Sequence, residues 1–384
     1  MLVGVSLIVD EVSDNDTSVV VIDVTSGGGN LTKKEVSWGK ILAILLPLCI
    51  LILLLVSIAI GVVISYVSDL FELPEGQSGD GDEYGYRLDV DSDLYFDLGA
   101  NKNGFWANDE IPSFDSTVYI EGACMSDPEY YCSGSGVIVS SRWVFTAAHV
   151  AIDLDVSDTY VVIGSDYENY EDVVYVSEIF IHPSYKDEGY DYDFAMLKLG
   201  RSVNQQYIAG WIGDREDLDL VSTKAYISGF GELDEEFADC GKACLEDQSG
   251  FFSQRRAWTN IIDRVTGDET TGNSYIVYDF DSLDGNNNSL RKGSSGFSYD
   301  QGDFSYAGKG SSSQEPTNLE GTSVFGDSGG PMYANLESGW LVVAVTAHGG
   351  EYSDYGDVAF NSRVSVYYDW ICSHSDSEAR ITNC

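Results

Sequence analysis

The stretch Gly321-Thr-Ser-Val-Phe-Gly-Asp-Ser-Gly-Gly-Pro-Met-Tyr333 sets one serine, Ser328, among glycines. A serine hydroxyl is a weak nucleophile at neutral pH until a neighbouring base takes its proton. It also needs N–H groups aimed at the oxyanion that forms after attack. Glycines let the backbone bend tightly here, which makes the N–H groups of Gly326 and Ser328 candidate oxyanion donors. The base calls for a histidine, and the chain has only four. His149 ends the apolar run Trp143-Val-Phe-Thr-Ala-Ala-His149, and Asp193 opens Asp193-Phe-Ala-Met-Leu-Lys-Leu199. Ser328 as nucleophile, His149 as general base and then acid, and Asp193 as the carboxylate that orients the imidazole compose an acyl-transfer site.

These motifs stand in the order His, Asp, Ser. With them go His182-Pro-Ser-Tyr185, Ser228-Gly-Phe-Gly231 and the closing Arg363-Val-Ser and Trp370-Ile371. From about Ser116 to Ile371 the chain resembles the chymotrypsin/trypsin-like serine protease family. That resemblance implies an endopeptidase working through an acyl-enzyme, on two antiparallel six-stranded barrels. The alternative is a catalytically silent adhesion or scaffold domain on the same fold. By family position, Thr322 forms the base of the primary specificity pocket, with Ser323 beside it. An aspartate there selects Lys or Arg substrates by charge, so a threonine disfavours them. Ala347, His348 and Gly349 fall in the segment whose backbone pairs with substrate in the family. His348 replaces a common tryptophan and reads as a pocket-rim side chain; a sharper reading has it accept acidic residues while protonated, below about pH 6.5. Family proteases free an N-terminal Ile-Val-Gly-Gly-like run whose amine pairs with the aspartate before the serine, here Asp327. The chain has no such run; Phe105-Trp-Ala-Asn108 lies nearest in position, and Lys102 is the nearest basic residue.

The elements that must position these residues read as strands. Gly 40 and Tyr 25, with short apolar runs and a hydrophobic share of 43%, fit an all-β domain over 109–384 ending in a short helix that opens at Tyr367–Ile371. Extra length between Asp193 and Ser328 falls in Leu233–Gln254 and Asp281–Pro316, the second carrying the sequon Asn287-Asn-Ser289. The chain has 63 acidic and 20 basic residues, a net charge of −43. Such a field repels phosphates and excludes a nucleic-acid partner; it speaks to solubility rather than chemistry. Protein or peptide substrates are the expected partners, and the oligomeric state is open.

Upstream, Ile41 to Val67 runs without a charge, roughly 40 Å if helical, more than a bilayer core of about 30 Å. Lys33, Lys34 and Lys40 precede it, while Asp69, Glu72 and Glu75 follow. The pattern predicts a single-pass signal anchor over 41–67, a mostly disordered cytoplasmic tail over 1–40, and the protease domain outside the cytoplasm. Acidic, Gly-rich residues 68–108 read as a flexible stalk or propeptide. Apart from Cys49, six cysteines remain, and local pairs 124–132, 240–244 and 372–384 suit an oxidising compartment. No cofactor is expected. Asp166, Glu168, Asn169, Glu171 and Asp172 offer oxygens enough for Ca²⁺, but chance clustering serves equally well in so acidic a chain.

Overall fold

The computed structural model of the chain describes residues 19–22, 34–37, 85–102, 110–186, 191–215, 218–231, 254–268, 274–285, 287–290, 298–299, 302–303, 307, 312–313, 315–349, 353–375 and 380–384. Residues 1–80 and 81–384 form two separate compact units. In the first, where a disordered tail was expected, β1 (Val19–Ile22) pairs antiparallel with β2 (Lys34–Ser37). The run Val-Val-Val-Ile is β-branched throughout, the composition that favours a pleated strand. Among the described residues no helix is long and apolar enough to cross a membrane; the expected anchor over 41–67 lies outside them.

In the second unit, residues 85–102 depart from an extended stalk. They form a short helix, α1 (Asp93–Gly99), and bury Tyr95 and Leu98, with Tyr86, Val90 and Leu94 packed alongside. Tyr86 bridges Gly321, and the Tyr95 hydroxyl donates to the Glu320 carbonyl at 2.7 Å. The acidic composition predicts self-repulsion, yet apolar residues interleaved with the acids supply a face worth burying.

Six strands close a barrel: β3 (Thr117–Ala123), β4 (Tyr131–Ser140), β5 (Trp143–Thr146), β6 (Tyr160–Ile163), β7 (Asp172–Ile181) and β8 (Ala195–Leu199), in the order β3-β4-β5-β8-β7-β6. A short helix, α2 (Ala148–Ala151), follows β5. Successive side chains of a strand point to opposite faces. In β4 from Gly134 onward, in β5, and in β8 apart from Lys198, both faces are buried. Ile138, Val144, Leu197 and Leu199 fill the barrel, while Val137, Val139, Trp143, Phe145 and Met196 pack with the rest of the domain. That two-sided burial explains the apolar runs Val137–Val139, Trp143–Phe145 and Ala195–Leu197 within these strands. Phe145 meets Phe194 and Trp211 edge-on at 5.2 and 5.5 Å, so truncating it to alanine costs about 3–5 kcal/mol.

The second half holds β9 (Lys224–Gly229), β10 (Arg256–Ile261), β11 (Arg264–Val265) and β12 (Tyr275–Asp279). After the small hairpin of β13 (Ser298–Tyr299) and β14 (Gly302–Asp303) come β15 (Pro331–Leu336), β16 (Gly339–His348) and β17 (Val358–Arg363). They form one seven-stranded sheet in the order β10-β9-β15-β16-β17-β12-β11, not the expected second six-stranded barrel. Its edge strands β10 and β11 are separated by Ile262 and Asp263 alone. The sheet must therefore curl until its two edges meet. One strand broken at that point accounts for the difference between six and seven. The hydroxyls of Ser116 and Tyr333 (2.8 Å) and of Thr117 and Ser228 (2.6 Å) join barrel to sheet. A terminal helix, α3 (Tyr368–Ser373), closes the domain, and disulfides join Cys124 to Cys132 and Cys372 to Cys384. Cys240 and Cys244 lie outside the described residues.

Candidate active site

β5 and β8 are antiparallel neighbours, with Thr146 opposite Ala195. His149, just past the end of β5, and Asp193, just before the start of β8, therefore emerge at the same end of the barrel. Asp193 is fully buried, and its Oδ2 lies 2.7 Å from His149 Nδ1 while its Oδ1 accepts the His149 backbone N–H at 2.9 Å. Bonding Nδ1 to a buried carboxylate selects the Nδ1–H tautomer and leaves Nε2 with its lone pair. The imidazole is 23% exposed, so a substrate can reach it. The Ser362 hydroxyl donates to the Asp193 carbonyl at 2.7 Å, and Tyr367, stacked on Phe194 at 4.5 Å, helps to seal the carboxylate from water. Burial first, then the Asp193 charge, holds the Tyr367 phenol above its ordinary range.

Ser328, half-buried, stands in a tight turn before β15. Gly326 and Gly329 take φ of 96° and 83°, the left-handed region open to glycine. At Gly329 a Cβ would also run into the Ser135 carbonyl and the Thr146 hydroxyl. The turn is pinned between barrel and sheet: Ser135 N–H donates to the Ser328 carbonyl at 2.8 Å, and Gly329 N–H donates to the Thr346 carbonyl at 2.7 Å. This sets Gly329, the residue after Ser328, against Thr146 and Ala147, at the end of the strand that leads into His149. Asp327, Gly329 and Gly330 spend their N–H groups on Val324, Thr346 and Asp327 carbonyls. Among the described residues the N–H groups of Gly326 and Ser328 donate to no acceptor.

Two participants were not picked out from the sequence. Ser135 donates its hydroxyl to the Gly326 carbonyl and accepts from Phe230 N–H, each at 2.9 Å. Arg256 forms a fully buried ion pair with Asp327, the carboxylate to which the family resemblance assigns a freed amine. The available signal was a pair of arginines, Arg255-Arg256, entering an apolar strand of a chain poor in basic residues.

Thr322 is buried, its N–H donating to the Gly85 carbonyl at 3.1 Å and its own carbonyl accepting from Arg256 at 2.8 Å. Ser323 and Gly349 lie side by side, a Cβ on Gly349 coming 3.3 Å from the Ser323 hydroxyl. Ala347 is buried against Tyr275, Val358 and Phe360. The surroundings of His348 bear on the sharper of its two readings, acceptance of acidic residues, and leave the pocket-rim reading as it was. Its ring stacks on Phe360 at 4.6 Å and meets Tyr275 edge-on at 5.4 Å. Burial, and secondarily the neighbouring His149, pushes it down to about 3, so at pH 6.5 it carries no proton with which to receive an acidic side chain. Two carboxyl groups next to one another near this segment are held above the usual carboxylate range, the Asp281 N–H donating to Glu320 at 3.2 Å. Burial and then the Asp279 charge push Asp281 up to about 9, and burial pushes Glu320 up to about 7.

The acidic loop considered for Ca²⁺ is engaged with the protein. Asp166 accepts N–H groups of Glu168 and Asn169, the Tyr207 hydroxyl donates to Glu171 at 2.7 Å, and Arg201 pairs with Asp172 at 2.5 Å. Among the described residues the one grouping with ligand-like spacing is Cys124, Cys132 and Asp153, and its two sulfurs are bonded to each other.

The family model described as Trypsin matches residues 116–247. Ovochymase of Halocynthia roretzi is 26% identical over 255 residues, which cover 63% of this chain and 13% of that protein. A trypsin of Simulium vittatum is 37% identical over 106 residues, 27% of this chain and 42% of the trypsin. Vitamin K-dependent protein C of Oryctolagus cuniculus is 24% identical over 260 residues, 63% of this chain and 46% of that protein. The chain thus spans less than half the length of each of these relatives. Over residues 116–247 the chain is similar to trypsins.

Proposed function

We propose that the chain is a serine endopeptidase that hydrolyses peptide bonds through an acyl-enzyme on Ser328. The observation that carries this reading is His149, held by two bonds to the buried Asp193 and reachable from solvent. His149 Nε2 takes the Ser328 proton as the hydroxyl attacks the scissile carbonyl, and Asp193 steadies the imidazolium that results. The carbonyl oxygen, now negative, is received by the N–H groups of Gly326 and Ser328. His149 then returns the proton to the leaving amine, and water repeats the sequence to free Ser328.

Cleavage after Lys or Arg is disfavoured. Thr322 brings no charge to the pocket base, and a cation buried without a partner is costly. Uncharged residues are the better substrates; a peptide library dominated by Lys or Arg before the cut would contradict this. A fluorophosphonate probe tests the activity: wild type labels and Ser328→Ala does not. No labelling in any processed form would favour the silent scaffold.

The anchor over 41–67 places residues 68–384 outside the cytoplasm, in a reading supported by Lys33, Lys34 and Lys40 and by the two disulfides. A C-terminal tag on intact cells is then digested by added protease. A protected tag reverses the orientation.

A further inference from the structure

The turn that carries Ser328 is held from behind by a carboxylate that water does not reach. Asp327 is fully buried; its Oδ1 accepts from Gly231 N–H at 2.8 Å, and its Oδ2 from Val324 N–H at 2.9 Å. The same Oδ2 meets Nη2 of Arg256, itself fully buried. That guanidinium lies over the Trp258 ring at 4.2 Å and donates to the carbonyls of Thr322 at 2.8 Å and Gly85 at 3.3 Å. Its Nε has no acceptor among the described residues, so Asp327, two carbonyls and an aromatic face carry the desolvation of the cation. Arg256 opens β10 and pairs with Gly229 of β9, so strand register sets where the guanidinium arrives.

We propose that Arg256 is the positioning residue of this site: supplied by the folded chain itself, it fixes Asp327, and through it the Gly326 and Ser328 N–H donors, without any cleavage upstream. The proposal rests on the endopeptidase reading. Asp327 already has a cation, and space beside it is closed: a Cβ at Gly231 would lie 2.5 Å from the Asp327 carboxyl carbon. Residues upstream of the barrel are part of the support. The Gly85 carbonyl accepts from both Arg256 and Thr322, and the Gly99 carbonyl accepts from the adjacent Arg255 at 2.8 Å. Detaching 85–102 would strip acceptors from the centre rather than complete it.

The test uses the full chain, shown by mass to be uncut, and the rate of fluorophosphonate labelling at Ser328. The intact chain labels. Arg256→Met, which keeps the bulk and removes the charge, slows labelling by about 10²–10³-fold, the scale of one lost oxyanion donor. Arg256→Lys recovers a large part of that loss, a response that general destabilisation would not give. Asp327 left unpaired in the interior endangers folding, so Arg256→Met/Asp327→Asn removes both charges together; it folds, and it labels as slowly as the single variant. Wild-type labelling rates in a folded Arg256→Met chain, or in the double variant, would overturn the proposal. Labelling that appears only after cleavage upstream of Ser116 overturns it too, while leaving the endopeptidase reading intact. No labelling before or after cleavage overturns that reading itself.

Discussion

His149 touches Asp193 twice, through Nδ1 at 2.7 Å and through its own backbone N–H at 2.9 Å. Asp193→Asn keeps the shape but offers an amide to Nδ1, favouring the tautomer whose Nε2 carries the proton. We expect kcat to fall about 10⁴-fold with the melting temperature little changed, and steady-state kinetics with a melting curve checks both. His348 behaves differently. Its ring, packed against Phe360 and Tyr275 and held down to about 3, stays neutral while an unfolded chain takes up a proton below about pH 6.5. Between those values the unfolded state binds more protons, so this group contributes stability that is lost on acidification. His348→Phe should flatten the decline of melting temperature between pH 6.5 and 4. The pH profile of activity near neutrality should stay where it is. A neutral-pH limb that moves with this substitution would show that His348 titrates there after all.

At the scale of elements, the site is made by strand ends and one turn. β5 and β8 deliver His149 and Asp193 because they are antiparallel neighbours, and β4 and β16 grip the Ser328 turn from either side. Gly329 is where that grip leaves no room. Gly339 takes an equally unusual φ of 99° at a hairpin with nothing within 4 Å, so Gly339→Ala meets backbone strain alone, about 1–2 kcal/mol. Gly329→Ala meets the same strain plus the Ser135 carbonyl and the Thr146 hydroxyl. We expect the larger loss in chemical denaturation from Gly329→Ala, and loss of probe labelling from it alone. Equal losses would mean that the turn can shift without consequence.

Across the whole molecule, a chain with a net charge of −43 keeps several carboxyl groups in its interior. Asp263, Asp279 and Asp281 are all raised, in each case chiefly by burial. Asp281, pushed up to about 9, holds in the folded state a proton that the unfolded chain releases above about pH 4. The folded state then binds more protons, so this contribution is present at low pH and lost as pH rises toward 9. Asp281→Asn stays neutral throughout. Its stability relative to wild type should grow from pH 5 to pH 9 in urea denaturation, and a constant difference would contradict the assignment. His348 and Asp281 thus pull in opposite directions, one losing stability to acid and the other to base.

The apolar runs of β4, β5 and β8, the glycines around Ser328, and His149 and Asp193 placed at run ends are local patterns. Side-chain alternation and turn chemistry depend on residues a few positions apart, so the sequence alone determined that strands would stand there and which residues could carry acyl transfer. Matters of burial and pairing were decided only by the tertiary structure. The Arg255-Arg256 pair is visible in the chain, but which of the two meets Asp327 is not; the register that sets Arg256 against Gly229 and the pairing with Asp327 span up to 71 positions. His348 is held below its ordinary range because Tyr275 and Phe360 came from other strands to pack against it. Residues 85–102 read as a stalk because their charges are visible in the chain, while the apolar groove that accepts Tyr95 and Leu98 exists only once the sheet has curled. Desolvation depends on what surrounds a group in space, and that becomes definite only when distant strands have packed.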